Sequence, residues 1–210
     1  AVDFKLTNVF HTHRLQFSAF APASLLARPL VIDAQFNARN VDDIKTWTGT
    51  VNSTVAGVSF PRLTTWLELP HQPRQGSGSL HLRFDVVKGV LARVGAGFDL
   101  RSIEATLGDG LPALQLDRMQ GSAVWQRNKD GQRVAFENVK MAQPGRSLGV
   151  PFNMGLAWNA QSHEITAQMF SLGGWESLLP SLPMDAALRT RLQALRPQGR
   201  LDTLRFQWTG

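Results

Sequence analysis

The chain has no cysteine and no tyrosine. Without cysteine there is neither a disulfide framework nor a thiolate metal site, which is compatible with an oxidising compartment but does not establish one. Without tyrosine, antibody-like and sugar-binding surfaces are disfavoured, because they rely on its hydroxyl for polar ligands. A transmembrane barrel with aromatic girdles is disfavoured for the same reason. No apolar run approaches the ~18 residues of a membrane span, and no basic stretch leading into an apolar one marks a signal peptide. Charged residues are scarce, 18% of 210, below the usual share of a soluble domain. The 43% hydrophobic content still argues against intrinsic disorder. It suffices for the core of one large or two small domains. The chain opens directly in strand rhythm, "AVDFKLTNVF", as expected of a segment of a longer protein or of a mature form.

What is present is a repeated period of two, the mark of half-buried strands. Val2, Phe4 and Leu6 alternate with Asp3, Lys5 and Thr7; Leu15, Phe17 and Ala19 share a side, as do Ile32, Ala34, Phe36 and Ala38. "VDDIKTW" reads as a short helix or turn leading to a Thr- and Val-rich strand. In "SLHLRFDV" the residues Leu80, Leu82, Phe84 and Val86 alternate with His81, Arg83 and Asp85. Val90, Ala92, Val94, Ala96, Phe98 and Leu100 come next on a single side, with Gly95 and Gly97 on the opposite one. The Asp-Gly of "NKDG" at 128–131 predicts a tight hairpin. Val150, Phe152, Met154, Leu156 and Trp158 then pair with a strand carrying Ile165, Ala167 and Met169.

Only one sizeable helix is predicted, about residues 183–196. Pro183 and Asp185 suit its start, and Met184, Leu188, Leu192 and Leu195 make an apolar stripe expected to pack on the sheet. The expected fold is mainly β, a long curved antiparallel sheet forming an open groove with that helix packed on it. The layout is an N-terminal sheet portion at 1–69, a linker at 70–79 and the main sheet with the helix at 80–210, or one continuous domain. "QPGRS" at 143–147 reads as a second linker.

Chemistry is hard to find. His11 and His13 share a side if extended, but no third ligand accompanies them, so no metal or cofactor is expected. Gly95 and Gly97 lack the third glycine and the helix of a dinucleotide site. There is no Walker motif and no nucleophile elbow, and no spacing picks out a triad, so no catalytic residue is named and no enzyme is expected. Net charge is +6, which favours anionic partners. The densest basic run is Arg189, Arg191, Arg196, Arg200 and Arg205, read either as a solvated face or as a headgroup or partner contact. Nucleic acid is not expected, because the aromatics share their faces with aliphatics rather than with arginines. Twelve Phe and six Trp on long strands suit contact with something apolar, or with each other in a closed core.

From residue 111 to 208 the sequence resembles the YhdP-type proteins of the AsmA-like group. "LPALQLDRMQGSAVWQRNKDGQRVAFENVKM" is similar to that family's leucine-x-leucine stretch, its strand ending in Trp and a basic residue, its polar-Gly turn and its next strand. "SLGGWESLLPSLPMDAALRTRLQALRPQGRLDTLRFQW" resembles the family's short helical segment and the strand after it, with Leu195, Pro197, Gly199, Leu201, Leu204 and Trp208 at the matching positions. The first hundred residues share the rhythm of the family's preceding sheet.

The resemblance implies a segment of a long periplasmic protein anchored in the inner membrane by a helix this chain does not contain. It implies an open groove that carries phospholipid toward the outer membrane and supports the permeability barrier. Expected partners are phospholipid, other segments of the same long protein, and inner- and outer-membrane proteins. The expected groove lining is Leu80, Leu82, Phe84, Val94, Phe98, Val134, Phe136, Phe152, Met154, Leu156, Trp158, Leu204, Phe206 and Trp208. The alternative is a scaffolding β-domain with a closed core and protein partners only.

Overall fold

A computed structural model describes residues 2–20, 22, 26, 28–38, 40, 42–63, 73–147, 150–173, 177–195 and 198–209. The alternating segments become strands β1 (Val2–Val9), β2 (Thr12–Ala19), β3 (Leu30–Asn37), β4 (Thr48–Ser59), β5 (Pro73–Val87), β6 (Val90–Ala105), β7 (Leu114–Asn128) and β8 (Gly131–Gln143). After them come the two-residue β9 (Arg146–Ser147), then β10 (Phe152–Trp158), β11 (Ser162–Ser171) and β12 (Arg200–Thr209). Two helices interrupt the series, the four-residue α1 (Phe60–Leu63) and α2 (Ala186–Leu195). "IKT" at 44–46 is a single 3-10 turn, in line with the short helix or turn expected there.

Every strand pairs antiparallel with its neighbour in the chain, except that β9 hangs on β8 and β10 takes the next place in the sheet. The path is open: β1 and β12 are its two edges and do not meet. The fold is therefore mainly β, one long unclosed sheet with, among the described residues, a single full-length helix late in the chain, as the period-two pattern predicts.

Local chemistry explains the joints. β5 turns into β6 through Lys88 and Gly89, with φ of 52° and 72° and Val87 facing Val90, the two positive φ values that suit a two-residue hairpin. The β7–β8 turn differs from the Asp-Gly expectation. Asn128 faces Gly131, so the loop is Lys129–Asp130 and Gly131 already belongs to β8. Its glycine serves the neighbouring strand: φ is 142° and a Cβ would overlap the carbonyl oxygen of Trp158.

Neither predicted linker is a linker in the described residues. Residues 73–79 are the first half of β5, and Ser77, Gly78 and Ser79 face Arg101, Leu100 and Asp99 of β6; residues 70–72 lie outside the described residues. Gln143 to Ser147 is a tight turn from β8 into β9.

Helix α2 begins after Asp185, whose Oδ1 accepts from the backbone N–H of Ala187 and Leu188 at 2.9 and 3.1 Å, a side-chain cap of two otherwise unpaired donors. Its stripe does not pack on the sheet as expected. None of its residues is buried, Leu188 and Leu195 are exposed, and it rests on the 3-10 turn Leu179–Ser181. That turn takes the sheet contact instead. Leu178 buries itself against Leu116, with Ile103, Leu114, Met119 and Met141 around the pair.

Candidate functional site: an uncovered apolar face

Directly facing residues of an antiparallel pair put their side chains on the same side of the sheet. The registers therefore define rows that run across the strands. One row is Leu6, Leu15, Ala34, Val51, Phe84, Val94, Trp125, Val134, Leu156, Ile165 and Phe206. It passes from one edge of the sheet to the other without a polar residue. The adjacent row is Phe4, Phe17, Ile32, Ser53, Leu82, Ala96, Ala123, Phe136, Met154, Ala167 and Leu204, apolar except at Ser53. At about 4.8 Å per strand such a row is roughly 48 Å long.

A closed core would bury these side chains under a second layer. Here Met154, Leu156, Leu204 and Phe206 keep 37 to 59% of their surface exposed, and most of the other row members are only half-buried. Small Ala34, Ser53 and Ala167 are buried because larger neighbours in the same rows stand over them.

The opposite face has a different character. Its central row reads Lys5, Gln16, Asp33, Asn52, Arg83, Gly95, Val124, Ala135, Gly155, Thr166 and Arg205. Ion pairs lie on it: Arg118 to Asp99 at 2.9 Å and Arg205 to Glu164 at 2.6 Å. The Arg118 guanidinium, donating two hydrogen bonds to Asp99, holds that carboxyl below its usual range, with Arg101 adding a smaller pull. A depression of about 510 Å³ lies on this face, between Lys5, Arg14, Gln16, Asp33 and Asn52, with Leu15 and Ala34 also in its wall; burying those charges and amides under hydrocarbon would cost their hydration.

Toward one end of the strands the apolar face passes into an amphipathic rim. Gln132 faces Trp158, which faces His163, which faces Trp208. The His163 and Trp208 rings stack at 5.2 Å, and Trp125 Nε1 donates to Gln132 Oε1 at 3.3 Å. Such rings suit a boundary between hydrocarbon and water.

The structure brings all fourteen residues expected to line a groove onto this one face. They are not equivalent. Phe152 is buried, edge-on to Phe170 at 5.6 Å, so it belongs to the closed end of the sheet rather than to the bare part. Among the row members not in the expected lining are Phe4, Leu6, Leu15, Phe17, Ile32, Val51, Trp125 and Ile165. Their strands alternate as clearly as the others, but only the register shows that they align.

Among the described residues the arginines engage different partners. Arg205 is on the polar face with Glu164, Arg200 pairs with Asp202 at 2.7 Å, and Arg189 donates to the carbonyls of Leu182 and Met184. Arg191 is exposed on α2, and Arg196 lies outside the described residues. His11 and His13 do not share a strand side: His11 sits in the β1–β2 turn, while His13 in β2 is hydrogen-bonded to Asn8 at 2.9 Å. Among the described residues no three His, Asp or Glu side chains converge on a metal-sized space, and no helix is long and apolar enough to cross a membrane.

A family model described as YhdP protein matches residues 1–210. No curated protein and no solved structure matches the chain.

Proposed function

The chain belongs to the YhdP protein family, and on that premise we propose that its bare apolar face holds phospholipid acyl chains in transit between the inner and outer membranes of a Gram-negative envelope. In this reading it is a non-enzymatic, periplasmic part of a longer, membrane-anchored protein, and its transport supports the outer-membrane permeability barrier. The observation that carries the reading is the pair of apolar rows crossing the eleven strands of the sheet's path, with no second layer over them among the described residues.

The physics suits a carrier. A 16-carbon acyl chain gains about 13 kcal/mol on leaving water, at roughly 0.8 kcal/mol per methylene. A carrier must return nearly all of that, or lipid stays in the bilayer. It therefore needs an apolar track without gaps or buried charge, beside water for the headgroup. The rows supply the track, and the Gln132–Trp158–His163–Trp208 rim supplies a level at which a headgroup stays wet.

The deciding experiment is lipid extraction and mass spectrometry of the segment purified from a bacterial envelope, with an equally basic β-protein as control. Stoichiometric phospholipid is the expected result and identifies the headgroup. Lipid-free protein refutes the reading and favours a scaffolding sheet whose apolar face is covered by protein partners.

A further inference from the structure

One end of the apolar face is not bare. In β7 the alternation Ala123, Gly121, Met119 continues the face, opposite Ala96, Phe98 and Leu100 of β6, and Met119 also faces Met141 of β8. On this end sit residues 177–182, part of the connection between β11 and β12. Leu178, Leu179 and Ser181 are buried, with Leu178 pressed on Leu116 beside Met119 and Met141.

This segment occupies surface of the same kind as the bare rows, and it does so with leucine methyls and methylenes, the groups an acyl chain would bring. Side-chain hydrogen bonds tie it to β8 and to the residue before β7: Ser177 Oγ to Gln143 Oε1 at 2.6 Å and Ser181 Oγ to the Ala113 carbonyl at 3.4 Å. Helix α2, next in the chain, rests on this segment, and its Arg189 donates to the Leu182 carbonyl at 3.1 Å; since the helix buries none of its own residues, it can travel with the segment. The segment can exchange with a hydrocarbon chain at little loss of like contact. A fixed wall would instead be woven into the hydrogen-bonded sheet.

We propose that residues 177–182 form a plug that competes with acyl chains for the β6–β8 end of the apolar face, seated when that end is empty and lifted when lipid fills it. The proposal rests on the lipid reading above. A seat that is competent only when the plug is lifted binds in proportion to the lifted fraction, so pinning the plug must remove lipid there and nowhere else.

The absence of native cysteine makes an engineered pair the only thiols in the chain. Leu116→Cys with Leu178→Cys, oxidised, pins the plug; a reductant frees it. A photo-crosslinking benzophenone amino acid replaces either Leu100, at the border of the seat, or Leu156, on the bare rows. The probe is a vesicle of phosphatidylethanolamine and phosphatidylglycerol.

Oxidation is expected to lower lipid cross-linking at Leu100 by about tenfold, reversibly, and to leave it unchanged at Leu156. Equal cross-linking at Leu100 in both redox states overturns the plug. Loss of cross-linking at both positions in both states overturns the lipid reading itself. A second variant, Leu178→Ser with Leu179→Ser, covers a pair that fails to fold. It is expected to raise cross-linking at Leu100, and no rise counts against the plug.

Discussion

Leu156→Asp and Phe152→Asp place the same carboxylate on the same strand and the same face, four residues apart, and the structure predicts opposite consequences. Leu156 is 39% exposed and stands in the middle of an apolar row. Replacing it forfeits part of a leucine's burial and some strand preference, about 2 kcal/mol together, and the carboxylate keeps its water. Phe152 is 7% exposed and packs edge-on to Phe170. Its loss leaves a cavity and forces a charge into it, about 4 kcal/mol or more.

The effect on lipid runs the other way. An acyl chain lying along the row passes about four methylenes over each strand spacing of ~4.8 Å. Losing half the contact of those four above a hydrated carboxylate costs about 1.6 kcal/mol, roughly a tenfold fall in retention. Urea unfolding gives the stability and extraction with mass spectrometry gives lipid per protein. Leu156→Asp should fold and lose lipid, whereas Phe152→Asp should fail at folding. If Leu156→Asp keeps its full lipid complement, the rows are not the track. If it unfolds as readily as Phe152→Asp, something covers the face and the bare-sheet reasoning is wrong.

Three further outcomes test the local physics. Asp185→Ala should remove the cap of α2 and speed amide exchange at Ala187 and Leu188, while barely moving the global urea midpoint, because none of the helix's residues is buried. Gly131→Ala should destabilise the sheet by about 2 kcal/mol in urea unfolding, since the new methyl meets the Trp158 carbonyl at a φ that L residues avoid. Asp99→Asn should expose a pH dependence. The folded-state carboxyl lies below its ordinary value because of Arg118. Its contribution is therefore present above the unfolded value near 3.8 and lost as the pH falls through the lower folded one. The wild type should exceed the variant in urea midpoint at neutral pH and converge with it as the pH falls below the folded-state value.

Period-two alternation made most strands legible, and it assigned faces correctly along regular stretches such as Leu80–Leu82–Phe84 and Leu204–Phe206–Trp208. It did not do so across irregularities: Leu91 rather than Val90 or Ala92 faces Val86, and Met169 takes a positive φ and leaves the run of Ile165 and Ala167. It could not align one strand with the next. The rows depend on turn lengths and on bulges such as those between Val55 and Val58 and between Gln120 and Ser122, which residue type announces poorly. The first half of β5 was hidden because "PRQGSGS" has the composition of a linker, yet its backbone pairs with β6 regardless of side chains. Helical spacing identified the leucine stripe of α2 but says nothing about what meets it. "SLLPSLP" reads as a run of prolines and turns. That it supplies the most deeply buried leucine of the apolar face, Leu178, emerges only from the chain folding back.

The strand order carries a consequence for how such a molecule comes into being. Nearly every strand finds its partner among the residues that immediately precede it, so the polypeptide can build itself hairpin by hairpin as it lengthens. No distant stretch has to be awaited, and loop-closure entropy stays small at each addition. The same arrangement makes its cohesion one-dimensional, with each strand dependent mainly on its two flanks. Unfolding should accordingly creep inward from β1 and β12, and pulling on the two ends should give a ladder of small force steps instead of one abrupt rupture.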